Sequence, residues 1–91
     1  MLRLYIAGNS ASSRRAEQNL ALLRRHMKPG EWKIEVIDVL LRPDLAEKAG
    51  ILATPTLSCD LSSRPRRVVG DLGDTRRVLE FLGIEPGGDG A

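Results

Sequence analysis

The stretch Ile51-Leu52-Ala53-Thr54-Pro55-Thr56-Leu57 constrains this chain more than any other. A short apolar approach meets a Thr-Pro bond and then runs directly into a β-type sequence, so a break and a strand follow each other within a few residues. About 5–6% of X-Pro bonds in folded proteins are cis, so the residues by themselves leave the isomer of Thr54-Pro55 open.

The rest of the chain sorts into short elements around this point. Leu2, Leu4 and Ile6 alternate with Arg3, Tyr5 and Ala7, the period of a strand, and Gly8-Asn9-Ser10 supplies a turn. From Ser13 to Met27 the apolar residues Ala16, Leu20, Leu23 and Met27 recur at helical spacing. A serine caps the start of that helix, and His26, Lys28 and Pro29-Gly30 mark its end. Ile34, Val36, Ile37 and Val39 form a nearly continuous β-branched run, which predicts a strand covered on both faces and paired in parallel with the first. Pro43 suits a first helical position and Gly50 a stop, so Pro43 to Ala49 reads as a short helix. Thr56 to Asp60 and Arg66 to Val69 read as an antiparallel hairpin joined by Leu61-Ser62-Ser63-Arg64-Pro65. Asp74 or Thr75 caps a last helix whose Val78, Leu79 and Leu82 face inward, and Gly83 ends it. The tail from Glu85 is expected to be disordered.

Ninety-one residues with 42% apolar content amount to one domain, expected over residues 1–84, with a slim stability margin. Fourteen basic residues against 12 acidic ones, a net charge of +2, are too balanced to imply a nucleic-acid or membrane partner. Trp32, Tyr5 and Phe81 are the only aromatics, too few for a platform on which single-stranded nucleic acid would stack. The single cysteine, Cys59, excludes an intrachain disulfide and any metal site built on paired cysteines. It shares a strand face with Leu57, which suits a small core residue better than a reactive thiol. His26 has no second histidine beside it, so neither a metal site nor an acid–base dyad assembles there, and no cofactor is expected. The chain opens on a strand pattern, with no leader and no run of 18 apolar residues, so a cytoplasmic protein is expected. Gly70-Asp71-Leu72-Gly73 lacks the ending of a phosphate loop and reads as a turn, with Gly70 for backbone freedom and Asp71 for local hydrogen bonding. Arg64, Arg66, Arg67, Arg76 and Arg77 are the conspicuous surface feature, readable as one basic face or as solvated side chains.

The order βαβαββα is that of a thioredoxin-like domain, a mixed α/β sheet flanked by helices. Three segments together, Leu4-Tyr5-Ile6-Ala7-Gly8, the Thr54-Pro55 stretch and Val69-Gly70-Asp71-Leu72, resemble the KaiB family of clock-associated proteins, ungapped from about Leu2 to about Leu82. A Thr-Pro before a strand is also a hallmark of thioredoxin-like folds, so the resemblance favours a cis bond at Thr54-Pro55. Dithiol chemistry would need a low-pKa thiolate at the start of the first helix. That position reads Asn9-Ser10-Ala11-Ser12-Ser13, which fits helix capping or an anion but no redox reaction.

The resemblance implies a non-enzymatic binding module that docks on a KaiC-like ring ATPase and alters its phosphorylation or ATPase cycle, in a circadian, timing or stress role. A KaiA-like protein or a sensor kinase are the further partners it implies. By position, the resemblance puts Pro43 to Ala49, with Asp44 and Glu47, and the strand carrying Arg66 and Arg67 near the contact, with Arg15 as a further matching basic residue. The family also has a second, tetrameric fold with a rearranged C-terminal half. That fold asks for helix at Leu57 to Leu61 and strand at Val78 to Leu82, against the local propensities here. The thioredoxin-like form, a monomer, is therefore expected. Two departures stand out: the loop that is proline-rich in cyanobacterial members reads Ser62-Ser63-Arg64-Pro65, and the usual acidic tail is a short Gly-rich end. The second reading is a redox-inactive thioredoxin-like adaptor for a sensor kinase.

Overall fold

The computed structural model describes residues 1–59 and 66–84. The connection expected over 60–65, Arg64 included, and the tail expected to be disordered over 85–91 lie outside these residues. Among the described residues four strands make one sheet: β1 (Leu2–Ile6), β2 (Ile34–Asp38), β3 (Thr56–Cys59) and β4 (Arg66–Val69). Three α-helices accompany them there: α1 (Ala11–Leu23), α2 (Pro43–Ala49) and α3 (Thr75–Leu82). The strand order is β2-β1-β3-β4, with β1 parallel to β2 and antiparallel to β3, and β3 antiparallel to β4.

Register decides which side chains meet. Leu4 lies beside Val36 and Leu57, and Leu57 beside Val68. Because successive residues of a strand point to opposite sides, Leu2, Leu4, Ile6, Leu57 and Cys59 share one face. Onto that face pack Ala16, Leu20 and Leu23 of α1 and Val78, Leu79 and Leu82 of α3, a single buried core. Cys59 is part of it and is buried, as its place next to Leu57 predicts.

The helix boundaries follow from their caps. Ser10 caps α1, its Oγ accepting the Ser13 N–H at 3.3 Å, so the helix starts two residues before the expected Ser13. It gives way after Leu23 to a single 3₁₀ turn, Arg24–His26, a tightening common at helix ends. Pro43 opens α2, and Gly50 closes it at φ +69°, a left-handed conformation that costs a residue without Cβ almost nothing. Asp74 caps α3 by accepting the Arg77 N–H at 3.2 Å.

One expectation is overturned. The β-branched run at β2 pairs in parallel with β1 as predicted, but the strand is not covered on both faces. It is an edge of the sheet, and Val36 remains 48% exposed. A continuous apolar run reports what the residues tolerate, while only the strand order decides whether anything lies beyond them. The Thr54–Pro55 peptide is cis. The Thr56 hydroxyl donates to the Ala53 carbonyl at 2.7 Å across this bend.

Candidate functional site: the α2 face of the sheet

The alternate residues of the same strands, Arg3, Tyr5, Glu35, Ile37, Ser58 and Arg67, form the other face of the sheet. α2 lies beside this face without closing it, and none of its residues is buried. Between helix and sheet an open groove of about 1020 Å³ remains, with Leu45, Lys48 and Ala49 as its helical wall. Leu40 and Leu41, in the turn between β2 and α2, are 69% and 77% exposed. Contiguous exposed apolar surface bordered by charge is the usual mark of a contact surface.

Most of the charges around the groove are held by partners within the chain. Arg3 Nε donates to Glu35 Oε1 at 3.1 Å, on neighbouring strands in register. Arg42 grips Asp44 at two points, Nε to Oδ1 at 3.2 Å and a terminal nitrogen to Oδ2 at 3.1 Å. The Arg42 hydrogen bonds hold the Asp44 carboxyl below the usual carboxylate range. Asp38 Oδ1 accepts the backbone N–H groups of Gly8 and Leu40 at 3.0 and 2.9 Å, pinning the turn that leads to α2. Arg67 crosses from β4 to the far end of α2, donating to the carbonyls of Ala49 and Gly50. Exposed pairs of this kind add little stability each, but they fix where the charges sit.

The five residues expected at a partner contact do not form one surface. Asp44, Glu47 and Arg67 gather around α2. Arg66 points the other way, its guanidinium 5.0 Å from the centre of the Phe81 ring on α3, so the arginines of β4 do not make a single basic face. The period of a strand already implies this split. Arg15 is on α1, where its Nε donates to Asp71 Oδ2 at 3.1 Å. Asn19 donates to the Asp71 carbonyl at 2.8 Å, and Asp71 Oδ1 accepts the Gly73 N–H at 2.9 Å. Asp71 thus joins α1 to the β4–α3 turn, in which Gly70 takes φ +125° and Leu72 is buried at φ +64°. Arg3 and Tyr5 also border the groove and were not expected there, whereas Lys48 belongs to the helix expected near the contact. Alternation along β1 signals the first two.

The hydrogen bond from Arg15, followed by that from the Gly73 N–H, lowers the pKa of Asp71. A carboxyl whose folded pKa is depressed stabilises the fold above its unfolded value, near 3.9, and that contribution is lost as pH falls through the folded value. In a carbon NMR titration the Asp71 carboxyl is expected to titrate below a free aspartate, and Arg15→Ala to return it most of the way. An identical titration in both proteins would remove Arg15 as the cause.

Among the described residues no cluster of histidine, cysteine or acidic side chains is arranged to hold a metal, and no helix is long and apolar enough to cross a membrane. A family model described as KaiB domain matches residues 3–84. The chain belongs to the KaiB family. A relative from Synechococcus sp. (strain CC9311), the circadian clock oscillator protein KaiB, is 48% identical over 92% of this chain and 71% of its own length. Among solved structures, the N-terminal domain of Synechococcus elongatus SasA superposes with a TM-score of 0.68 at 21% identity, covering 94% of this chain and 85% of that one. Mitochondrial thioredoxin 3 from Saccharomyces cerevisiae gives 0.71 at 19% identity, over 91% and 74%. These two establish the thioredoxin-like fold of this KaiB-family chain, whose first helix is entered through Asn9 and Ser10, begins Ala11-Ser12-Ser13 and carries no sulfur there.

Proposed function

We propose that this KaiB-family protein is a non-enzymatic regulatory binding protein of the cytoplasm that docks on a KaiC-like ring ATPase and modulates its phosphorylation or ATPase cycle. The observation that carries the reading is α2: a helix with no buried residue, set beside an open groove and next to exposed Leu40 and Leu41. A short helix gains its stability from the face it packs, and this one leaves much of its surface for another molecule. Family membership supplies the kind of partner, and the thioredoxin-like fold is the form that the resemblance associates with the ring. Within this reading Asp44, Glu47 and Arg67 lie at the contact. Arg15 and Arg66, engaged with Asp71 and Phe81, hold the fold from the other side.

The test is binding to the KaiC-like ATPase of the same organism, read by interferometry and by the ATPase rate. Glu47→Lys on the exposed side of α2 is expected to weaken binding by roughly tenfold, the scale of one reversed charge at a contact. Arg77→Glu, on the opposite side of the sheet, is expected to leave it unchanged. Equal effects from the two variants would take the contact away from α2, and no binding by the unaltered protein would end the ATPase reading.

A further inference from the structure

Helix α2 has few means of staying where it is. It spans seven residues with no side-chain cap at its start, and none of its side chains is buried. Its end is better tied. The Gly50 N–H donates to the Ala46 and Glu47 carbonyls, and the Ile51 N–H to Ala46 at 2.9 Å. The carbonyls of Ala49 and Gly50 lie beyond these bonds, and both are taken by the Arg67 guanidinium. A cation at this end also meets the negative pole of the helix. Arg67 stands on β4, in register with Ser58 of β3, so it reaches α2 only while β4 is paired.

We infer that Arg67 is a positioning residue: it anchors the C-terminal end of α2 to the sheet, so that the geometry of the proposed docking face depends on the pairing of β4. The inference rests on the docking reading for its functional consequence, but the anchor itself does not. Arg67 also borders the groove, so the side chain that holds the helical wall is itself part of the lining. A planar guanidinium meets two adjacent carbonyls in one fixed fork, a geometry that an ammonium on a flexible stem does not hold in advance.

The experiment compares Arg67→Ala with Arg67→Lys in the full chain by amide hydrogen exchange, followed by NMR at Glu47 to Ile51, together with binding to the ATPase. Removing a hydrogen-bonded charge is expected to speed exchange at the end of α2 roughly tenfold, while the amides of β1 and α1 stay as they were. Arg67→Lys is expected to recover part of the loss, and affinity for the ATPase to follow the exchange rates across the three proteins. Unchanged exchange at α2 in Arg67→Ala would overturn the inference whatever the binding does. Faster exchange with unaltered binding would uphold the anchor and defeat the docking reading. A general rise in exchange across β1 and α1 would make Arg67 an ordinary stabilising residue and overturn its role at α2.

Discussion

Leu57→Ala is expected to lower stability by about 3 kcal/mol, the largest effect of any single truncation considered for this chain. Leu57 is fully buried and stands on β3 between Leu4 of β1 and Val68 of β4, so the cavity it leaves is enclosed by two neighbouring strands and two helices. Such buried leucine truncations cost about 2–5 kcal/mol, more where the surroundings cannot collapse. A domain of this length has roughly 5–14 kcal/mol in hand, and the loss corresponds to a fall in Tm of about 12–24 °C. Val69→Ala, on the other face of the same hairpin and 67% exposed, is expected to stay within about 0.5 kcal/mol. Urea unfolding of both, with midpoints compared at unchanged slope, makes the check. A Leu57 loss below about 1 kcal/mol would mean that β3 does not hold the core together.

The second large effect is polar. Ser13 is fully buried, three residues past the cap of α1. Its Oγ accepts the Ala7 N–H at 3.0 Å and the Ser10 hydroxyl at 2.8 Å, while its own N–H goes to Ser10. The hydroxyl therefore fastens the exit of β1 to the entry of α1. Ser13→Ala changes little volume but leaves the part-buried Ala7 N–H without this acceptor, and an unmet donor costs up to about 1–3 kcal/mol. Ser13→Thr keeps the oxygen but forces a methyl into a filled site, at a similar cost of about 1–3 kcal/mol. Both variants are expected to melt well below the parent, while Ser12→Ala, one residue earlier, is expected to remain close to it. Should Ser13→Ala melt with the parent, the Ala7 N–H has another acceptor.

These two positions show what the sequence makes visible and what it hides. Leu57 announces itself through strand periodicity, and the Pro43, Gly50, Asp74 and Gly83 punctuation places α2 and α3 with their observed bounds. Each of those signals is local. The burial of Ser13 is not, since a serine near a helix start reads equally well as solvated or enclosed. The edge position of β2 depends on strand order, which no stretch of residues encodes alone. The same holds for the candidate site. Alternation along β4 separates Arg66 from Arg67, but the carbonyls that Arg67 meets lie 17 and 18 residues away and the Asp71 that Arg15 meets lies 56 away. Such pairings exist only once the chain has closed on itself.

The sheet presents its core on one side and Arg3, Glu35 and Arg67 on the other, with the two sets interleaved residue by residue along the strands. Leu2 and Leu4 flank Arg3, and Val68 follows Arg67. Selection for folding and selection for partner choice therefore act on different codons of the same short segments. Because most substitutions that hurt a marginal domain strike its interior, the chain has room to change Arg3, Glu35, Lys48 or Glu47 on the proposed docking face without approaching the threshold at which it unfolds. Drift in specificity and a constant architecture are thereby compatible within ninety-one residues.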